Sequence, residues 1–311
     1  MMKNAKVKPA KGKKLQRRNS TAVFHLMLIP GVLVALLFTY LPLLGNVIAF
    51  MDFSPIKGFF KSDWVGWENF RFIFAMPNFI HALRNTIVIS VAKIILNILV
   101  PVTIALLMNE MTNERHKRCI QTMVYMPHFL SWIILAGIFI DMLSPSNGII
   151  NSILGAFGIK PIYFLGDTKW FPIVIVLSDV WKSFGWGTIV YLAALTGVDP
   201  NLYEAAMMDG ASRWKQTIHV TLPSIMPIIV LMTVLAVGNV LNAGFDQVYN
   251  MLSASVYETG DIIDTFVYRL GMLQRQYSPA AAVGLFKSVV SFVLVSVSYW
   301  LADKFAGYRV F

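Results

Sequence analysis

The sequence predicts an all-α integral membrane protein with six transmembrane helices, from its composition and from the length of its apolar runs. Of the 311 residues, 57% are hydrophobic and 14% are charged, whereas soluble domains carry roughly 45–50% apolar and about 25% charged residues. A transmembrane helix needs about 20 apolar residues, and six stretches of the chain are that long. Barrel strands, with about 10 residues of alternating polarity, do not fit these runs.

The six predicted spans follow one another along the chain with polar loops between them. The first is too long for the core of a secretory signal peptide, so we expect a retained anchor that bends at Pro30 or Pro42. The predicted spans cover residues 22–50, 84–108, 120–143, 172–196, 222–242 and 280–303.

Basic residues predict the orientation of the spans. The chain has a net charge of +10, and eight of its basic residues lie within the first 18 positions. With the N-terminus in the cytoplasm, the cytoplasmic segments hold fifteen basic residues and the external loops hold seven. This asymmetry is the one that the positive-inside rule describes. Both termini are therefore expected in the cytoplasm, in a multi-pass protein of the cell membrane.

The predicted regions follow from these spans. They are a basic cytoplasmic tail (1–21), the first transmembrane helix with the first extracellular loop (22–79), a core transmembrane domain of five helices (80–303) and a cytoplasmic C-terminus (304–311). The external loops are rich in aromatic residues, which suits either the membrane interface or a docking surface.

Several functional classes are excluded or disfavoured. Basic residues concentrate in the tail rather than on a folded face, so a nucleic-acid partner is not expected. No nucleotide-binding G-x-x-x-x-G-K-[ST] motif is present, and neither H-E-x-x-H nor G-x-S-x-G occurs. The five histidines have no metal-ligand spacing, and Cys119 is the only cysteine. We therefore predict no catalytic residue, no metal site and no cofactor in this chain.

Four basic residues lie inside the predicted spans or at their edges, where charge is costly and usually faces a cavity or a partner. They are Arg84, Lys93, Lys182 and Lys287. Asp179 and Lys182 are three residues apart, so they are expected to pair on one helix face or to line a polar path. Arg84 is expected only to extend toward the membrane surface.

One polar segment, residues 198–223, has a regular pattern. Asp199 and Pro200 form a helix start, and Gly210 can take the left-handed turn that ends the helix. Ser212 can cap a second short helix, and Pro223 and Pro227 are expected to break the chain before the fifth span. This pattern alone is also compatible with a connecting loop that happens to be helical.

The residues of this segment resemble the E-A-A-x-x-D-G-A loop of permease subunits in binding-protein-dependent ABC importers. The residues that match this motif and the aliphatic-x-L-P that follows it are Glu204, Ala205, Ala206, Asp209, Gly210, Ala211, Val220, Leu222 and Pro223. The resemblance extends from about residue 80 to the end of the chain. It is greatest to permeases for complex oligosaccharides of Gram-positive bacteria, in the maltose-importer superfamily, and it implies the type I ABC importer permease fold.

The resemblance also implies partners and a mechanism. The first helix of the 198–223 segment would be a coupling helix that docks on a cytoplasmic ATPase subunit, with Glu204 against a basic group. ATP and magnesium would be bound by two such ATPase subunits and not by this chain. A second homologous permease would complete a heterodimer in the lipid bilayer, and an extracellular solute-binding protein would deliver the solute.

Polar residues of the fourth and fifth spans are the candidates for a translocation path, because aromatic rings stack on sugar rings and amides or carboxylates bind hydroxyls. The alternative for these positions is plain helix packing around small residues. The candidates are Asp179, Trp181, Lys182, Trp186, Tyr191, Asn239, Asn242 and Asp246.

The predicted function is the import of an oligosaccharide or a uronic-acid oligosaccharide. Four alternatives remain open on the sequence. The solute could be an amino acid, a phosphate or a polyamine, or the chain could be a secondary transporter, a membrane-embedded enzyme or a membrane scaffold.

Overall fold

The computed structural model describes residues 13–306, and most of them belong to helices. Most of the predicted tail (1–21) and of the predicted C-terminus (304–311) lies outside these residues. Five helices are long and apolar enough to cross a membrane, and a bent helix pair stands in the place of the third predicted span. The five are Val23–Phe50, Pro77–Asn109, Trp170–Thr196, Arg213–Gly238 and Tyr277–Leu301.

The long helices contain irregular turns, and shorter elements connect them. The first span begins within the helix Lys13–Ala35 and continues beyond it, and the last span is part of the helix Tyr277–Ala306. The remaining α-helices are Leu41–Leu43, Gly58–Lys61, Glu68–Ala75, Glu114–Tyr125, Trp132–Met142, Ile149–Ala156, Pro200–Met208, Phe245–Met251, Tyr257–Gly260 and Ile263–Tyr268. The π-turns are Leu36–Tyr40, Thr217–Thr221 and Arg269–Leu273, and the 3₁₀ segments are Leu44–Phe50, Met126–Phe129 and Ala254–Val256.

Two short strands within residues 13–306 form an antiparallel hairpin after the first span. Met51–Asp52 pairs with Asp63–Trp64, with Met51 opposite Trp64. The hairpin is held to the start of the last span, because the Phe53 amide donates to Ser278 Oγ over 2.9 Å.

The third predicted span, 120–143, is not one straight helix. Glu114–Phe129 and Trp132–Met142 meet at an angle of 99°. Pro127 lies at the start of the 3₁₀ turn, where it interrupts the α-helical hydrogen bonds. Ser131 then caps a new helix, its hydroxyl accepting from the Ile134 amide over 3.4 Å. A proline and a capping serine four residues apart therefore turn one apolar run into two helices.

The first span contacts the rest of the chain mainly at its end. None of the residues in its most apolar stretch is buried, whereas Leu44–Phe50 packs against the last span. The helix continues through Pro30 and changes to a π-turn at Leu36–Tyr40, just before Pro42. Pro42 crowds the carbonyl four residues earlier, which belongs to that π-turn. Of the two expected sites of distortion, the irregularity therefore lies beside Pro42.

The second and fourth spans pack along each other, and the fifth packs against the last. The buried side chains form three clusters, which lie at successive levels of this bundle. Within a bilayer, close packing and buried polar contacts hold helices together, because the lipid tails are as apolar as the side chains.

The start of the second span binds the loop that precedes the last span. Asn85 Nδ2 donates to the carbonyls of Glu258 and Asp261 over 2.9 and 3.1 Å. Arg84 also donates to the Glu258 carbonyl, so it does more than extend toward the membrane surface. In the same loop, Asp261 pairs with Arg269, and burial raises the pKa of the Asp261 carboxyl against the opposing effect of that guanidinium.

Candidate functional site

The 198–223 loop begins with the helix Pro200–Met208, which we call the loop helix. Its start is the predicted one, because Asp199 Oδ1 accepts from the Asn201 amide over 2.9 Å and Pro200 takes the first helical position. The short aspartate side chain satisfies an amide that the helix itself leaves without a partner.

A tight turn follows the loop helix at Gly210, as predicted. Gly210 has φ +74°, a left-handed conformation that side chains disfavour. Its amide donates to the Met207 carbonyl and the Ala211 amide to the Ala206 carbonyl, over 3.0 and 2.9 Å. These two hydrogen bonds together form the Schellman motif. Ser212 then caps the next helix, also as predicted.

The helix after the turn runs without a break from Arg213 to Gly238, so the break expected at Pro223 and Pro227 is wrong. The π-turn Thr217–Thr221 ends two residues before Pro223, and Ser224 Oγ donates to the Val220 carbonyl over 2.7 Å. Shifted π hydrogen bonds and serine hydroxyls satisfy backbone groups that proline leaves free in membrane helices. The loop is therefore joined to the fifth span by continuous helix.

One side-chain contact closes the loop on itself, and a second links it to the second span. The Tyr203 hydroxyl lies 3.0 Å from Thr221 Oγ1, which links the loop helix to the π-turn. Arg213 Nη1 lies 2.9 Å from Glu110 Oε2, which links the next helix to the end of the second span. The second contact is largely exposed, so it contributes little to stability.

The loop exposes large apolar side chains to solvent. Met208 and Trp214 are 88% and 72% exposed, and large apolar side chains grouped on a surface usually mark an interaction site. The motif residues divide between the exposed surface and the packed side. Glu204, Ala205, Asp209, Gly210 and Pro223 are exposed, whereas Ala206, Ala211, Val220 and Leu222 are partly buried.

A cavity of about 310 Å³ lies between the second, fourth and fifth spans, at the small end of the range for small-molecule sites. Four of the eight predicted path residues line it: Asp179, Tyr191, Asn239 and Asn242. The second span contributes three polar residues that the path prediction omitted, namely Ser90, Lys93 and Asn97. Their spacing of three and four residues puts them on one helix face, and Lys93 inside an apolar span was the signal for that face.

Asp179 pairs with Lys93 of the second span. The predicted pair of Asp179 with Lys182 does not form. Lys93 Nζ lies 3.2 Å from Asp179 Oδ1 and also donates to the Ala243 carbonyl and to Gln247 Oε1. Asn97 Nδ2 donates to the other Asp179 oxygen over 3.0 Å. The three hydrogens of the ammonium group are thus all bonded within the protein.

The cavity wall keeps free acceptors. An ionised carboxylate has about four lone-pair sites, and the contacts above use two of those on Asp179. Ser90 Oγ and Asn97 Oδ1 are buried without a hydrogen-bond partner, which is costly unless something else binds them. The remaining acceptor positions of Asp179 suit hydrogen-bond donors such as hydroxyl groups.

The other four predicted path residues do not line this cavity. Trp181 packs edge-on against Phe139, Lys182 Nζ donates to the His128 carbonyl over 2.7 Å, and Trp186 stacks on the His128 ring. Asp246 is exposed in the helix Phe245–Met251. Among residues 13–306, no group of three or more histidine, cysteine, aspartate or glutamate side chains is arranged to hold a metal ion.

Comparison with known proteins gives consistent matches. Residues 97–307 match the family described as binding-protein-dependent transport system inner membrane component. Protein LplB of Bacillus subtilis (strain 168) is 44% identical over 281 residues, which are 90% of this chain and 88% of that protein. The polygalacturonan/rhamnogalacturonan transport system permease protein YteP of the same organism is 43% identical over 281 residues, again 90% of this chain and 88% of that protein.

A solved structure has the same fold. It is a chain of a bacterial alginate ABC transporter in complex with a periplasmic protein that holds an alginate pentasaccharide. The TM-score is 0.86 at 34% identity, and the match covers 96% of this chain and 100% of that chain.

Proposed function

The chain belongs to the inner-membrane components of binding-protein-dependent transport systems, and from this membership we propose that it forms the translocation path of an ATP-driven carbohydrate importer. It is a membrane-embedded permease subunit of the sugar-importer branch. The observation that supports carbohydrate most is the 43% identity to a permease for polygalacturonan and rhamnogalacturonan over 90% of this chain. The solute would be an oligosaccharide or a uronic-acid oligosaccharide.

The proposed path includes the cavity between the second, fourth and fifth spans. Asp179 would accept hydrogen bonds from sugar hydroxyls. Tyr191 of the fourth span and Asn239 after the fifth also line the cavity. Because the Lys93 ammonium is saturated, the cavity would recognise hydroxyl groups rather than a carboxylate.

The 198–223 loop is the proposed contact with the energy source. Accumulating a solute a thousandfold requires about 4 kcal/mol, at roughly 1.4 kcal/mol per factor of ten. We propose that two separate ATPase subunits bind ATP and magnesium. Glu204 would contact a basic group on one of these subunits. The exposed Ala205, Met208 and Trp214 around it support docking of a partner on this face.

The proposed orientation has six spans, the bent pair counting as one, and both termini in the cytoplasm. The fifteen basic residues on that side against seven outside support it. A second homologous permease would complete the path, and a solute-binding protein would deliver sugar to the opposite end.

Transport by the reconstituted complex tests this proposal. Proteoliposomes would contain this chain, a second permease and the ATPase subunits, with the binding protein outside and ATP inside. We expect uptake of maltotriose or trigalacturonate that requires ATP, and no uptake of histidine or phosphate. Uptake by this chain alone without an ATPase would identify a secondary transporter, and uptake of histidine or phosphate instead of sugar would reject the carbohydrate assignment.

A further inference from the structure

We propose that the hydrogen bond between Tyr203 and Thr221 carries the motion of the loop helix into the fifth span. Tyr203 is then a positioning residue for coupling, although it contacts neither solute nor nucleotide. This inference rests on the proposed function, because it requires an ATPase that moves the loop helix.

Force can pass from the loop helix to the fifth span by two routes. The first is the covalent turn through Gly210, which has open space around it, since a Cβ added there would meet no atom within 4 Å. A turn that is not supported by neighbours can bend when its ends are pushed, because backbone dihedrals are soft. This route alone would lose part of the motion.

The second route is the contact between Tyr203 and Thr221, 18 residues apart in sequence. It closes the loop into a ring, so that the loop helix cannot rotate about Gly210 without breaking it. Thr221 is 3% exposed, and water therefore does not compete for its hydroxyl as it does at the exposed contact between Arg213 and Glu110.

The direction of the hydrogen bonds places the end of this link on the backbone. Thr221 Oγ1 lies 3.4 Å from the Gln216 carbonyl, and a threonine hydroxyl has one hydrogen to donate. Thr221 donates that hydrogen to the Gln216 carbonyl. In the contact with Tyr203 it therefore accepts, and the Tyr203 hydroxyl donates. The series from Tyr203 through Thr221 to Gln216 ends where the π-turn Thr217–Thr221 begins.

The π-turn explains how a pull at this point moves the whole span. A π-turn is a wider, single-turn interruption that is frequent at functional sites. Beyond it the helix is continuous as far as Gly238. Displacement of the π-turn backbone therefore moves the fifth span as one body, the usual way in which a small shift becomes a large rearrangement.

Spin-label distances within the complete complex test the rigidity of this joint. Labels are placed at Met208→Cys and Val237→Cys, one at each end of the proposed lever, after Cys119→Ser removes the native thiol. In the otherwise wild-type complex we expect the 208–237 distance distribution to keep its width when Mg-ATP and orthovanadate are added. With Tyr203→Phe or Thr221→Val it should broaden.

The second measurement is the number of ATP molecules hydrolysed per sugar imported, with whichever of maltotriose and trigalacturonate the wild-type complex imports. Each hydroxyl variant should raise this ratio about fivefold, the effect of losing a hydrogen bond of about 1 kcal/mol. The double variant should be no worse than either single variant, because both remove the same bond. Thr221→Ser, which keeps the hydroxyl, should restore the wild-type ratio.

Two matched controls remove a hydroxyl elsewhere. Thr233→Val lies on the same span, but its hydroxyl donates only to the Ile229 carbonyl of its own helix, and Tyr163→Phe lies in an exposed loop. Both should keep the wild-type ratio. If the wild-type complex couples ATP to uptake while Tyr203→Phe and Thr221→Val match it in both measurements, this inference is wrong and the proposed function stands. If the wild-type complex shows no ATP-dependent uptake, the proposed function itself fails.

Discussion

Lys93 Nζ lies 3.2 Å from Asp179 Oδ1, and this ion pair joins the second span to the fourth at the wall of the cavity. The side chains are only 8% and 19% exposed. The same ammonium donates to the Ala243 carbonyl, beside Gly244 with its φ of +95°. One buried cation therefore connects two spans with the turn that follows the fifth.

Lys93→Met should destabilise the folded permease. Removing one partner of a buried ion pair leaves an uncompensated charge, at a cost of about 3–5 kcal/mol. We expect a clear fall in the thermal unfolding temperature of the purified complex. The double variant Lys93→Met/Asp179→Asn should recover more than half of the lost temperature. The matched control is Lys57→Met, because the Lys57–Asp63 pair is shorter, at 2.9 Å, but exposed. Equal falls for Lys93→Met and Lys57→Met would show that burial of the pair is unimportant.

Glu204→Lys should separate ATP hydrolysis from uptake while the protein still inserts into the membrane. The side chain is exposed on the loop helix, so its reversal does not disturb the interior. Its effect would come from repulsion of a basic group on the ATPase, since like charges at an interface are costly. The measurement is sugar uptake and ATP hydrolysis in the same proteoliposomes.

Glu68→Lys is the control for this reversal, because Glu68 is exposed in the first turn of a helix in a different loop. It should transport normally. Normal uptake by Glu204→Lys as well would remove Glu204 from the proposed coupling contact.

Local signals in the sequence were sufficient for the 198–223 loop. Asp199, Gly210 and Ser212 each act within four residues of their own position, through caps and a left-handed turn. The apolar runs predicted six spans, and five of these are continuous helices in the structure, because a bilayer imposes a minimum helix length. Such features depend on neighbours along the chain, which a sequence displays directly.

Contacts between distant segments could not be predicted in the same way. Lys93 and Asp179 are 86 residues apart, whereas Lys182 is only three residues from Asp179. Only the packing of the second span against the fourth selects Lys93 as the partner. The 99° bend of the third span was also not predicted from the sequence. Prolines at 127 and 223 are each followed by apolar helix, but only the second lies beside a π-turn that lets the helix continue.

Gly210→Ala should weaken coupling, and Gly210→Pro should abolish it. Alanine in the left-handed region costs about 1–2 kcal/mol, and proline fixes φ near −65°, far from the observed +74°. The measurement is again ATP hydrolysed per sugar imported. Gly197→Ala is the control, because Gly197 also ends a helix but has φ −88°, which alanine adopts freely. A wild-type ratio in Gly210→Pro would contradict a role for this turn.

Asn239→Leu should raise the KM of sugar uptake about fivefold, because one hydrogen bond of about 1 kcal/mol to a hydroxyl is lost. Asn239 lines the cavity, and its amide nitrogen donates to the Leu235 carbonyl. Its amide oxygen accepts from Asn242 Nδ2 over 3.5 Å and keeps a second lone pair for solute. The control is Asn250→Leu, since Asn250 bonds the Asp246 carbonyl of its own helix and does not line the cavity. An unchanged KM in Asn239→Leu, with ATP-dependent uptake intact, would show that the solute does not contact Asn239. A fall in kcat alone would instead indicate that Asn239 serves the packing of the fifth span.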